Sequence, residues 1–277
     1  MHNIKNLKYK SSLLRKKIFD MCYATQTGHP GSVFSEIDLL ISLFYGGILN
    51  FEEKNPKYSN RDRIIISKGH AAMGLYPIFA DLQYFDIKEL DMYGKPNGML
   101  RIFGNISIPG IDATSGSLGH GLGIGSGYSY SDFLDNNNRK TFVLISEGEM
   151  YEGSTWESAL FVGHHKLNNL ITIIDRNNKI ILGDTEDLIK LESIEKKWEA
   201  FGFLVKRIDG HSHEEILNAL SDLNNIDKPL LLIADTIKGK GISFMENDPN
   251  WHYWQKIEKE KYEVAKTELE NEILKYE

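Results

Sequence analysis

The feature that most constrains this chain is a series of five short, continuously apolar runs separated by helix-length amphipathic segments. The runs are Arg63 to Ser67, Thr141 to Ile145, Leu170 to Ile174, Phe203 to Ile208 and Pro229 to Ala234. A strand with one wet face alternates polar and apolar residues, whereas a strand covered on both faces reads apolar throughout. Helical patterns fill the gaps, at Leu7 to Tyr23, Ser35 to Leu43, Ala71 to Leu82 and Leu118 to Phe133, and in a segment opening at Ser154. Strands alternating with helices predict an α/β fold with a mostly parallel sheet and helices on both faces. Capping boxes are expected at Ser154 with Glu157 and at Ser212 with Glu215. Residues 255–277 alternate charges and read as a solvated helix or tail.

The chain has 277 residues, and no linker rich in Pro, Gly or Ser divides it, so one domain over residues 1–277 is expected. The formal charge of −7 argues against a general nucleic-acid binder. The longest unbroken aliphatic run spans only Leu230 to Ala234, far short of a membrane span. The opening residues MHNIKNLKYK lack the apolar stretch of a signal peptide. The single cysteine, Cys22, has no internal disulfide partner and reads as a core residue, so a reducing cytoplasm is the expected compartment.

Ligands of an open parallel sheet bind beyond the carboxyl ends of its strands. Those turns read SKGH (67–70), SEGEMYEG (146–153), DRNNK (175–179) and DTIKGKG (235–241). Glu147 and Asn177 are separated by about one strand–helix–strand unit, so adjacent parallel strands would bring both to one sheet edge. A carboxylate and an amide oxygen, completed by water and phosphate oxygens, suit magnesium bound to a diphosphate. Gly148 admits close backbone approach. On spacing alone, two polar surface turns account for the same residues. The glycines at 119–127 do not spell a dinucleotide fingerprint, and close helix packing or cofactor contact explains them equally. His164 and His165 read as helix-end residues, and His211 and His213 as part of a structural turn.

Several motifs, in order, resemble the N-terminal half of transketolases, enzymes that use thiamine diphosphate. They are GHPGSVFSEIDLL (28–40), SKGHAAMGLY (67–76), PGIDATSGSLGHGLGIGSG (109–127), EGEMYEGSTWESALFVGHHKLNNLITIIDRNN (147–178), IDGHS and TIKGKGISFMEN. The resemblance implies metal ligation by Glu147, Asn177 and the Lys179 carbonyl, with magnesium, calcium or manganese as the ion. It implies cofactor contacts from His70, Gly116, Ser117, Leu118, Gly148, Glu149, Asn177 and His252. It implies catalytic roles for His29, His70 and His252, and a subunit-bridging position for Glu152.

The chain departs from the family pattern in several places. Ser146-Glu147-Gly148 replaces the usual Gly-Asp-Gly, and the extra methylene adds about 1.5 Å of reach. The loop RIFGNISIPGID (101–112) lacks the family's histidine, and Tyr253-Trp254-Gln255 follows Trp251-His252. Single-chain transketolases are more than twice as long. The resemblance therefore implies a split enzyme, in which a separate C-terminal transketolase-like subunit completes an α2β2 assembly. Its substrates would be sugars or sugar phosphates, with a two-carbon ketol unit passing from ketose to aldose. The alternatives are the alpha subunit of a thiamine-dependent 2-oxoacid dehydrogenase or decarboxylase, and a cofactor-free scaffold subunit.

Overall fold

The computed structural model describes residues 3–277. The helices are α1 (Ile4–Thr25), α2 (Pro30–Tyr45), α3 (Leu75–Asp81), α4 (Gly121–Leu134), α5 (Gly153–His165), α6 (Thr185–Leu188), α7 (Ile194–Ala200), α8 (His213–Ala219) and α9 (Lys259–Leu274). The strands are β1 (Arg63–Ile66), β2 (Thr141–Ser146), β3 (Leu170–Arg176), β4 (Lys179–Ile180), β5 (Gly183–Asp184), β6 (Leu204–Asp209) and β7 (Leu230–Asp235). Five strands form one parallel sheet in the order β1-β2-β3-β7-β6, and β4 pairs with β5 in a small antiparallel ribbon. The five expected strands are all present, each within two residues of its expected ends.

Burial on both faces explains the runs in β1, β2, β3 and β7, whereas the edge strand β6, with Lys206 and Arg207, is only partly buried. Ile64, Ile66, Phe142, Leu144, Ile171, Ile173, Leu230 and Leu232 face one core, shared with α1, α2, α3, α8 and α9. Their neighbours Ile65, Val143, Ile145, Leu170, Ile174, Leu231 and Ile233 face a second core, shared with α4, α5 and α7. Helix α2 is buried along nearly its whole length, packed against α1, α8 and the 3-10 turn after β1.

Three local expectations change. The α5 segment begins at Gly153 with Glu152 at its N-cap, and Ser154 Oγ donates instead to the Gly119 carbonyl, at 3.0 Å. Tertiary contact with the Gly119 loop therefore takes the hydroxyl that a capping box needed. At α8 only half of the box forms. Ser212 Oγ accepts from the Glu215 amide, while the Glu215 carboxylate accepts from the Asp209 amide. The C-terminal segment is docked rather than freely solvated, because α9 buries Ala265, Leu269 and Ile273 against α1. No helix among the described residues is long and apolar enough to cross a membrane.

The glycine-rich helix α4 sorts its glycines by face. A Cβ on Gly121 would lie 2.3 Å from Ser67 Oγ, and one on Gly125 would lie 2.4 Å from Val143 Cγ2. Gly127 opens onto empty space. Gly121 and Gly125 thus serve close packing of helix on sheet.

Candidate active site

Because all five sheet strands are parallel, their carboxyl ends share one edge. The turns after β1, β2, β3 and β7 converge there on a cavity of about 420 Å³. Its wall includes His29, Ser32, Lys68, His70, Leu118, Gly148, Asp175, Asn177, Lys179, Lys238 and His252, with Phe103, Glu152, Ile181 and Tyr253 also lining it.

The three histidines come from three distant segments. His29 precedes Pro30, which opens α2 with its φ already helical. His70 sits on a 3-10 turn after β1, and His252 on another near the C-terminus. Their ring centroids lie 5.1 Å (His29–His70), 5.1 Å (His70–His252) and 5.7 Å (His29–His252) apart. Burial, with Lys238 nearby, lowers His29 to about 4 and His252 to about 3. Burial also holds His70 well below its usual range. All three are therefore neutral imidazoles at pH 7, able to donate or accept a proton. His29 Nδ1 is buried without a partner among the described residues.

Two lysines face the cavity, and the resemblance assigns a role to neither. Lys68 is buried between Asp175 and Glu36, with Glu36 Oε2 at 2.9 Å. Burial works against its charge, but the two carboxylates outweigh burial and raise it to about 12. Lys238 is different. Among the described residues it has no carboxylate within salt-bridge distance, and its Nζ lies 3.3 Å from His252 Nδ1. Burial, aided by repulsion from Lys68, lowers it to about 8. At neutral pH it remains mostly a buried ammonium short of negative charge. A sequence signal for both lysines exists, since each sits in a turn that follows a parallel strand.

The expected cofactor residues divide. Leu118, Gly148, Asn177, His70 and His252 line the cavity. Gly116 and Ser117 lie on the loop beside it, and a Cβ on Gly116 would meet nothing. Glu149 does not reach the cavity. Its carboxylate accepts from the Ser146 and Gly119 amides at 2.9 Å each and from Ser67 Oγ, tying three loops together behind the wall.

The expected metal ligands Glu147, Asn177 and Lys179 meet at one point, because Glu147 Oε1 and Asn177 Oδ1 both accept from the Lys179 amide. Glu147 is buried and forms an ion pair with Arg176, and its other oxygen accepts from the Lys179 amide at 2.7 Å. One carboxylate oxygen thus faces the guanidinium while the other stays beside Lys179, on the cavity wall. Asn177 and Lys179 do face the cavity, and Asn177 Oδ1 accepts from the Lys179 amide at 3.2 Å. The carboxylate on the cavity wall is Asp175, held by Lys68, Ser35 and Thr236. Among the described residues, no group of three or more His, Cys, Asp or Glu side chains is arranged to hold a metal.

A diphosphate fits this donor set better than a bare cation does. An ammonium without a carboxylate, three neutral imidazoles with N–H groups to offer, and the open backbone at Gly148 all favour an anion.

Comparison with known proteins agrees with this geometry. Residues 8–269 match the family model for the transketolase thiamine diphosphate binding domain. The A subunit of apulose-4-phosphate transketolase from Phocaeicola vulgatus is 35% identical over 99% of this chain and 97% of that relative. The 6-deoxy-6-sulfo-D-fructose transketolase subunit SqwG of a Clostridium species is also 35% identical, over 96% of this chain and 97% of that relative. Human transketolase is 32% identical over 89% of this chain but only 39% of its own length. The crystal structure of Campylobacter jejuni transketolase superposes with a TM-score of 0.88, at 30% identity, over 99% of this chain and 46% of that one. The chain therefore belongs to the transketolase family and corresponds to the N-terminal, thiamine diphosphate-binding part of full-length transketolases.

Proposed function

We propose that this chain is the diphosphate-binding subunit of a split ketol transferase. A separate C-terminal transketolase-like subunit would complete it, as an α2β2 assembly acting in the cytoplasm on sugars or sugar phosphates. The observation that carries this reading is the buried, carboxylate-free ammonium of Lys238 beside three neutral imidazoles, in a chain nearly coextensive with relatives named as transketolase subunits.

Thiamine diphosphate, when bound, supplies the carbanion chemistry needed to break and form a carbon–carbon bond. The chain's own residues supply charge, orientation and proton handling. Lys238 would neutralise diphosphate charge, helped by the Gly148 backbone and Asn177. Lys68, already balanced by Asp175 and Glu36, would hold the Ser32 turn through its bond to the Ser32 carbonyl at 2.9 Å. His29, His70 and His252 would hold substrate hydroxyls as neutral imidazoles, accepting a hydrogen bond at one ring nitrogen and donating one from the other. Phe103 and Tyr253, whose rings lie 6.2 and 4.9 Å from His29, form an apolar mouth that limits water entry.

Binding of a metal at Asn177 and the Lys179 carbonyl is compatible with their place on the wall. Glu147 could join them through Oε1 while Arg176 keeps Oε2, and no step is assigned to a metal. The need for a partner is supported by exposed apolar side chains on α4 and α5, where Phe133 and Phe161 are both exposed and both pack on the Tyr130 ring. Such surface is uncommon on a monomer and marks an interaction site.

The test is co-expression with a C-terminal transketolase-like subunit, followed by assay on ketose donors and on pyruvate. Ketol transfer by the complex alone supports the reading. Activity confined to pyruvate would favour a 2-oxoacid decarboxylase, and a stable complex without cofactor would favour a scaffold.

A further inference from the structure

His211 lies outside the cavity, on the turn between β6 and α8, yet its ring joins two distant parts of the chain. Its Nδ1 lies 2.7 Å from Asp38 Oδ2, and its Nε2 lies 2.9 Å from the Ile237 amide nitrogen. A backbone N–H can only donate, so Nε2 is the acceptor and Nδ1 carries the proton toward the carboxylate. Asp38 is fixed in turn by two bonds from Arg15, at 2.6 and 3.2 Å. The nearby His213 does something else. It meets Ser42 and Ser11 at 2.7 and 3.3 Å and makes no bond to the Ile237 turn.

Ile237 immediately precedes Lys238. Other bonds also hold this turn: Thr236 N–H to the Arg176 carbonyl at 2.9 Å, Thr236 Oγ1 to Asp175, Gly239 N–H to the Gly31 carbonyl at 3.0 Å, Gly241 N–H to Glu246 Oε1 at 3.0 Å and Asn247 N–H to the Lys238 carbonyl at 2.9 Å. His211 provides the acceptor for the Ile237 amide, the N–H directly before Lys238. An ammonium kept short of carboxylates in a buried site has no ion pair to hold it in place, so its backbone must do so.

We propose that His211 is a positioning residue, which as a neutral imidazole bridging Asp38 and the Ile237 amide fixes the turn that presents Lys238 to an anionic ligand. The proposal rests on the reading of Lys238 as the diphosphate cation. Loss of the Ile237 acceptor frees that turn and weakens diphosphate binding, although His211 itself never touches the ligand.

The experiment uses the full chain and inorganic diphosphate, with affinity measured by titration calorimetry. Asn places its amide near the Nδ1 position, so His211→Asn keeps the Asp38 donor and loses the Ile237 acceptor. Gln reaches the Nε2 position, so His211→Gln keeps that acceptor. One hydrogen bond is worth about tenfold in affinity. His211→Asn should therefore bind about tenfold more weakly, and His211→Gln should stay within about threefold of the parent. In a Lys238→Met background, His211→Asn should add no further loss.

If Lys238→Met leaves binding unchanged, the cavity reading fails and the proposal falls with it. If Lys238→Met weakens binding while His211→Asn does not, the cavity reading stands and the positioning role is overturned. Full additivity of the two changes also overturns it. Should His211→Asn fail to fold, His211→Gln carries the test alone, and a tenfold loss in that variant refutes the proposal.

Discussion

Glu147→Gln separates a structural carboxylate from a metal ligand. It keeps the shape of the side chain and removes its charge. Both Glu147 and Arg176 have side chains only 1% exposed, so the lost charge leaves a guanidinium in a poorly solvated place. Breaking such a pair costs about 3–5 kcal/mol. Arg176 retains Thr185 Oγ1 at 2.7 Å and the carboxylates of Glu186 and Glu192 at 2.8 and 3.3 Å. Those two carboxylates reach solvent, which screens them and limits what they restore. The remaining partners place the expected loss at the lower end, about 3 kcal/mol. Arg176→Met should cost a similar amount, because it strands Glu147 instead. The double variant should lose less than the two single losses added together, as it leaves neither charge stranded. The assay is urea unfolding of the full chain in the presence of a chelator, with midpoints compared at a common slope. A loss below about 0.5 kcal/mol would lie within the range of an ordinary surface change. Combined with weakened magnesium binding, it would refute the structural role and return Glu147 to the metal.

Three other perturbations follow from the same structure. Diphosphate affinity of the full chain, corrected for protonation of the diphosphate itself, should fall as pH rises through about 8, where Lys238 gives up its proton, whereas the neutral histidines add no change from pH 7 down to about 5. Titration calorimetry across pH checks this, and affinity that rises above pH 8 would contradict it. Lys238 is lowered from 10.5 to about 8, so its charged form destabilises the folded chain below about pH 8, and that cost disappears as pH rises toward 10.5. Lys238→Met should accordingly stabilise the free chain at pH 7, by an amount on the order of 2–3 kcal/mol, read from urea midpoints. Gly125→Ala should cost about 1–3 kcal/mol through the contact with Val143. Gly127→Ala, in open space, should be neutral or stabilising by up to about 1 kcal/mol. Thermal unfolding of both variants distinguishes packing from helix propensity.

Four strands and their shared edge were legible because burial on both faces leaves a local mark on each run, while β6 is a partly exposed edge strand. The motifs placed His29, His70, His252, Asn177 and Gly148 on one wall for a similarly local reason: most lie in a turn directly after a strand or at the start of a helix. What the sequence did not disclose depends on neighbours far apart along the chain. The partner of Glu147 is Arg176 at the end of β3, a pairing that no local pattern marks. The charge deficit around Lys238 reflects which carboxylates Lys68 already holds. His211 read as a turn residue because its partner Asp38 lies on α2 and its other contact lies after β7. Docking of α9 was hidden by its charged composition, since Ala265, Leu269 and Ile273 form a narrow stripe among solvated residues.

The central claim is that this chain holds the diphosphate end of a cofactor completed by a second subunit. The most direct measurement is the thiamine diphosphate content and ketol-transfer activity of the chain purified with a C-terminal transketolase-like subunit, beside each chain alone. The account predicts stoichiometric cofactor and transfer in the complex, with neither chain active by itself. A well-formed complex that stays empty in excess thiamine diphosphate would contradict it.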